Sequence, residues 1–343
     1  MGSRPRRKIK IPERFIHDTR LGEAFGLTQA PIMNDNNNNT VVENDNAVID
    51  DPIIESPNDH ALIAGEPSSL KDALNGPSSR NWTDACRDEL KAHENAQTWI
   101  LIEPNSSILN IIPNKWVFKI KCDNNGKPIK YKARLVACGF RQKFGEDYDE
   151  IFSPTTRLST IRALLSVKWK SIEHVDVVTA YLNADLNNSV YMRQPTGFDD
   201  QSGRICLLKK SLYGLKQSGR NWNKTINDFL VEFGFEPSIV DPCTYFMDQI
   251  IVTIYVDDIV IFSNNLDSVT KFKNALKSKF TITDLGRISS ILGINVSFKE
   301  NEVFLNQKTY INKIIEKLTN HPKPSITPIE PKLFPTPASS CND

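Results

Sequence analysis

The sequence predicts an α+β fold on three observations. Two apolar, β-branched runs at 250–254 and 259–262 flank Tyr255-Val256-Asp257-Asp258, which reads as strand, acidic turn, strand. Lys115-Trp116-Val117-Phe118-Lys119-Ile120-Lys121 and Lys130-Tyr131-Lys132-Ala133-Arg134-Leu135-Val136 flank Asp123-Asn124-Asn125-Gly126, a second and longer hairpin. Around these hairpins lie segments of helical period, such as Trp82, Ala85, Cys86 and Glu89, which predict amphipathic helices.

At 343 residues the chain has room for one large domain or two modest ones. Its net charge of +1 conceals strong segregation of charge. Charged residues interrupt the apolar runs well short of the roughly 18 residues a membrane span needs, and no apolar core follows the basic start, so the expectation is a cytosolic or nuclear protein without a membrane partner. The six cysteines are scattered without a Cys-x-x-Cys pair and read as reduced thiols.

In chain order, Arg4-Pro5-Arg6-Arg7-Lys8-Ile9-Lys10 is a basic run that suits either a nuclear address or a solvated tail. Residues 33–67, rich in Asn, Asp, Glu and Pro, read as a disordered linker. Order begins near Ser68, with a helix from Trp82 and a short strand at 99–102. In the long hairpin, alternation places Lys130, Lys132 and Arg134 on one face and Tyr131, Ala133 and Leu135 on the other. Nine Lys or Arg against the single acid Asp123 between Lys115 and Lys143 suit polyphosphate binding; a solvated strand face is the alternative.

A helix at 160–167 leads to a mostly apolar extended run at 172–182 that contains Asp176. A strand and turn follow at 191–198, and a helix opens within 211–222 and continues to Phe233. Beyond the acidic hairpin come a helix at 268–280, a strand at 290–296, another at 303–305 and a helix at 310–318. The tail after His321 contains six prolines and is not expected to fold alone.

Two adjacent acids on a hairpin with apolar flanks repel each other, and a divalent cation relieves that cost. A hydrophilic turn is the simpler alternative. Asp176 at the end of a second apolar strand adds a third carboxylate, a set that suits two metal ions.

Seven blocks then stand in a specific order. They are Trp116-Val117-Phe118-Lys119, Lys132-Ala133-Arg134-Leu135-Val136-Ala137, Phe152-Ser153-Pro154, Asp176-Val177-x-x-Ala180-Tyr181-Leu182, Leu212-Tyr213-Gly214-Leu215-Lys216-Gln217, Tyr255-Val256-Asp257-Asp258 and Leu292-Gly293-Ile294. From about 68 to 328 the chain strongly resembles the reverse transcriptase of copia-type LTR retrotransposons.

The resemblance implies a right-hand polymerase fold in residues 68–328, with fingers at about 82–160 and 186–220, palm at about 161–185 and 221–296, and a partial thumb at about 297–328. Residues 1–67 would be a basic start and linker, and 329–343 a tail. The implied activity is template-directed DNA synthesis, with Asp176 and Asp257 holding two Mg²⁺ ions (or Mn²⁺), Asp258 completing the cluster and the Val177 carbonyl as a further ligand. Tyr181 looks like a steric gate against a ribose 2′-hydroxyl, the alternative being a core Tyr on the same strand. Lys132 and Arg134 fall where the family clasps the triphosphate, subject to a one-residue register choice that reverses a strand face. Tyr213 and Gly214 match the motif around the nascent base pair, Lys216 is placed to reach phosphate or base, and Leu292-Gly293-Ile294 matches the primer grip. Implied partners are an RNA or DNA template with primer, deoxynucleoside triphosphates, and the ribonuclease H and integrase parts of the polyprotein. The implied setting is the cytoplasm or a virus-like particle, with the nucleus as an alternative.

The chain departs from the pattern in two places. The stretch from Ile161 to Asp176 is about three residues short, nearly one helical turn, and the stretch from Cys243 to Tyr255 is also short. With no ribonuclease H region expected within its length, the chain reads as a fragment of a larger polyprotein or as a catalytically silent remnant that retains at most nucleic-acid binding.

Overall fold

The structure, a computed structural model, describes residues 66–317 apart from 106–107, 109, 123–127 and 300–301. The basic run at 4–10, the linker up to residue 65, the turn at 123–126, Leu318 and the proline-rich tail lie outside the described residues.

Helix α1 (Leu70–Asn75) starts at Ser69, whose hydroxyl accepts the Asp72 amide at 3.1 Å. Helix α2 (Ser79–Asn95) buries Trp82, Ala85, Cys86 and His93. After strands β1 (Trp99–Ile102) and β2 (Ile111–Ile112), strands β3 (Asn114–Cys122) and β4 (Pro128–Ala137) form the long hairpin. Its register pairs Trp116 with Leu135, Phe118 with Ala133 and Ile120 with Tyr131. That face packs on α2, where Trp82 meets the edges of the Phe118 and Tyr131 rings at 5.2 and 4.7 Å. The opposite face pairs Lys119 with Lys132, Lys121 with Lys130 and Val117 with Arg134. The expected alternation therefore holds, because an apolar face has α2 to bury it.

Helix α3 (Leu158–Leu165) leads into β5 (Ser171–Val177). Strands β6 (Tyr191–Met192) and β7 (Ile205–Leu208) join β1 and β2 in a four-stranded sheet of order β1-β7-β6-β2. Helix α4 (Ser218–Phe233) is followed by β8 (Glu236–Pro237), β9 (Thr244–Met247), β10 (Ile250–Tyr255), β11 (Asp258–Ser263), helix α5 (Leu266–Lys279) and β12 (Ile282–Arg287). These strands and β5 build a six-stranded sheet of order β12-β5-β11-β10-β9-β8.

Both faces of this sheet are covered. On one face Trp222, Ile226 and Leu230 of α4 and Val269, Phe272 and Leu276 of α5 cover Val175, Val177, Val252, Ile254, Ile259 and Ile261. On the other face Ile161, Leu164 and Leu165 of α3 pack with Ile172, Ile251, Val260 and Phe262. Double burial is why the runs at 250–254 and 259–262 are apolar at every position but Thr253 instead of alternating.

The short segment before β5 is seated by a buried acid. Asp241 Oδ2 accepts the Arg157 amide at 3.0 Å and the Thr160 hydroxyl at 2.5 Å, so an acid distant in sequence does the capping work at the α3 N-terminus.

Two expectations are corrected. The extended run does not reach Leu182: β5 ends at Val177, Thr179 turns left-handed (φ 50°), and a 3₁₀ turn runs over Ala180–Asn183, with Asn183 Nδ2 donating to the carbonyls of Thr179 and Ala180. The helix expected to open within 211–222 does so at Ser218, after a turn set by Gly214 (φ 90°) that the Ser218 hydroxyl closes on the Leu212 carbonyl at 2.6 Å. The strand at 290–296 is instead a hairpin, β13 (Ser290–Ile291) and β14 (Ile294–Lys299), turning on Leu292 (φ 48°) and Gly293 (φ 74°). It pairs with β15 (Glu302–Asn306), and helix α6 (Lys308–Lys317) follows.

Candidate active site

Strand β5 lies between β11 and β12, and its register sets Asp176 directly opposite Asp258. Opposed residues in an antiparallel pair hold their Cβ atoms about 5 Å apart, close enough for two carboxylates to repel. Asp257 lies in the two-residue turn joining β10 to β11, beside Val256.

This turn is held at both carbonyls. Val256 O accepts the Trp222 indole N–H at 2.7 Å, and Asp257 O accepts the Val177 amide at 2.9 Å. Val256 has a φ of 57°, a left-handed conformation that a β-branched residue adopts only under constraint. The cost is met by those two bonds and by the packing of Val256 against the α4 and α5 side of the core.

The electrostatics follow from the crowding. Burial, then Asp258, then Asp176 push the Asp257 carboxyl up to about 6. Burial and then Asp258 raise Asp176 above the ordinary carboxylate range. Lys132 and Lys121 pull Asp176 the other way, and Lys132 also acts on Asp257. Burial, followed by the like charges of Arg134 and Lys121, lowers the Lys132 ammonium. The cationic face of the β3–β4 hairpin therefore stands over the acids.

Tyr181 belongs to this group, though from the 3₁₀ turn and not from a strand. Its ring meets Tyr213 at 4.6 Å, and the Arg134 guanidinium lies 5.5 Å from the Tyr213 ring centre. Burial first and Asp257 second push the Tyr181 hydroxyl up to about 12. Gly214 is fixed against β4, where Ala137 N donates to Tyr213 O at 2.8 Å. A Cβ at Gly214 would fall 2.1 Å from Ala137 O.

Asp176, Asp257, Asp258, Lys132, Arg134, Val177, Tyr181, Tyr213 and Gly214 thus converge. Lys216 points elsewhere: its amide donates to Gln142 Oε1 at 2.8 Å and its Nζ lies 5.4 Å over the Tyr148 ring. Leu292, Gly293 and Ile294 sit in the β13–β14 hairpin, which packs on the sheet face carrying Asp176 and Asp258 through Ile291 and Val296.

Three contributors escaped the sequence reading. Lys121 acts on Asp176 from the strand paired with Lys130, and the basic alternation of the hairpin was the available signal. His174 Nε2 lies 2.6 Å from Asp258 Oδ1; its place two residues before Asp176, on one strand face, was the clue. Trp222 supports the turn from a helix 34 positions away in sequence, and no local pattern marks that.

Among the described residues no group of three or more His, Cys, Asp or Glu side chains is arranged to hold a metal ion. The donor chemistry still fits a hard divalent cation, since carboxylate oxygens are its preferred ligands and three acidic residues meet at the β5–β11 register and the adjoining turn. Among the described residues no helix is long and apolar enough to cross a membrane.

Residues 96–331 match a family described as reverse transcriptase (RNA-dependent DNA polymerase). The retrovirus-related Pol polyprotein from transposon TNT 1-94 of Nicotiana tabacum is 36% identical over 278 residues, covering 77% of this chain and 21% of that protein. The corresponding polyprotein from transposon RE1 of Arabidopsis thaliana is 32% identical over 283 residues, covering 79% and 19%. The transposon Ty1-BL Gag-Pol polyprotein of Saccharomyces cerevisiae is 32% identical over 237 residues, covering 65% and 13%. The chain spans about a fifth of the length of the two plant proteins.

Proposed function

This chain belongs to the reverse transcriptase (RNA-dependent DNA polymerase) family, as the reverse transcriptase region of a copia-type retrotransposon, and from that premise we propose that its own residues carry out two-metal nucleotidyl transfer to a primer 3′-hydroxyl. The observation that carries the reading is the register that sets Asp176 opposite Asp258, with Asp257 in the adjoining turn, beneath a cationic hairpin.

In this reading the six-stranded sheet with α4 and α5 is the palm of a right-hand polymerase. The β3–β4 hairpin and its surroundings are the fingers, and residues from about 297 begin the thumb. Asp176 and Asp257 would hold two Mg²⁺ ions, or Mn²⁺, with Asp258 beside them and the Val177 carbonyl as a further donor; such ions would supply Lewis acidity to the 3′-hydroxyl and charge neutralisation to the pyrophosphate leaving group. Lys132, Arg134 and Lys121 bind the triphosphate of an incoming deoxynucleotide. Tyr181, braced by Tyr213, occupies the space a ribose 2′-hydroxyl would need. Tyr213 and Gly214 line the nascent base pair, and the turn at Leu292 and Gly293, with Ile294, grips the primer strand. Lys216, turned toward Tyr148, is assigned to template phosphate. The partners are a primed RNA or DNA template and the other parts of the polyprotein, and the setting is the cytoplasm or a virus-like particle, with the nucleus as the alternative.

The test is extension of a labelled DNA primer on an RNA template with Mg²⁺ and deoxynucleotides, comparing the chain with Asp257→Asn. Extension abolished by the substitution supports the reading. A folded chain that binds the duplex without extending it is a nucleic-acid binder without catalysis, and the proposal of activity falls.

A further inference from the structure

The acidic cluster has a partner that the nucleotidyl-transfer reading leaves unused. His174 is buried on β5, two residues before Asp176, and its Nε2 lies 2.6 Å from Asp258 Oδ1. The residues opposite His174 on the flanking strands are Val260 and Gly286. Neither has a polar side chain to compete for the ring, so the imidazole reaches diagonally along the sheet face to the one acid of β11. Both partners are withdrawn from water, with side chains 10% and 20% exposed, and a buried hydrogen bond to a carboxylate is among the stronger kinds.

We propose that His174 is a positioning residue, holding the Asp258 carboxylate in one orientation so that Asp176 and Asp257 present their free oxygens to the metal ions. The inference rests on the reading under Proposed function. Asp258 sits opposite Asp176 and next to Asp257, so without a fixed partner its carboxylate can rotate toward either. An imidazole that occupies one of its oxygens removes that freedom, as outer partners of metal-ligating carboxylates generally do.

The measurement is Mn²⁺ binding to the full chain with a primer–template duplex, followed by electron paramagnetic resonance of the free ion. Wild type is compared with His174→Leu, His174→Gln and Asp176→Asn, with circular dichroism to confirm folding. His174→Leu is expected to weaken Mn²⁺ binding by about 10–100-fold. It should also lower kcat for extension while leaving KM for the deoxynucleotide unchanged. His174→Gln, whose side-chain amide can still donate to Asp258, is expected to restore most of both. Should His174→Leu not fold, His174→Ser is read in its place.

Binding in the Leu or Ser variant equal to wild type, with binding lost in Asp176→Asn, overturns the positioning role and leaves the polymerase reading intact. Binding unchanged in Asp176→Asn as well removes the metal role of the cluster, and the positioning role with it.

Discussion

The Trp222 indole donates to the Val256 carbonyl at 2.7 Å, joining the second turn of α4 to the turn that carries Asp257. The bond spans 34 positions of sequence and holds a β-branched residue at positive φ. Trp222→Phe keeps most of the apolar contact and removes the donor. It is expected to cost about 1–3 kcal/mol in urea unfolding, because the Val256 carbonyl is left without its partner. Primer extension should fall by more than this stability loss explains, since the turn relaxes where Asp257 is positioned.

The raised Asp257 carboxyl makes stability depend on pH with a definite sign. Its folded value, up to about 6, lies above its unfolded value near 4. The folded state therefore holds the proton more tightly, and the contribution is complete below about pH 4 and lost as pH rises through about 6. Asp176 shifts in the same direction. Thermal melts without divalent metal, compared between wild type and Asp257→Asn, should show the variant gaining on wild type between pH 5 and pH 7.5, by about 1.4 kcal/mol. Adding Mg²⁺ at pH 7.5 should stabilise wild type and reduce that gap.

Two left-handed glycines provide a controlled comparison. Gly214 (φ 90°) and Gly145 (φ 79°) both adopt conformations that an L-residue resists. At Gly214 a methyl would also strike Ala137 O at 2.1 Å, whereas at Gly145 nothing lies within 4 Å. Gly145→Ala is expected to cost about 1 kcal/mol from backbone strain alone. Gly214→Ala should cost at least about 3 kcal/mol, or prevent folding, because backbone of β4 must move. Denaturant midpoints of the two variants decide the matter.

The cationic face predicts a division between binding and chemistry. Lys132→Gln and Lys121→Gln remove charges that bear on Asp176 from the hairpin that covers it. Both should raise KM for the deoxynucleotide, on the order of 10-fold for Lys132 and less for Lys121. Lys130→Gln, on an exposed residue of the same face, should leave KM for the nucleotide near wild type and flatten only the salt dependence of duplex binding.

Much was legible in the sequence because local chemistry determined it. Double burial made the strands of the acidic hairpin apolar on both faces, with Thr253 the exception, and the alternation of cationic with apolar positions set the faces of β3 and β4. The order of motifs identified the family. Tertiary structure alone decided three matters. It ended β5 at Val177 and placed Tyr181 on a 3₁₀ turn, because a left-handed Thr179 and the Asn183 amide outcompete the strand propensity of Val177-Val178-Thr179. It split the expected strand at 290–296 into a hairpin at Leu292 and Gly293, a turn that lacks the usual Asn-Gly signal. And it brought His174 to Asp258 and Trp222 to Val256, contacts 84 and 34 positions apart in sequence. Periodicity tells which face a residue lies on, but contact across strands depends on register and packing, which only the folded chain contains.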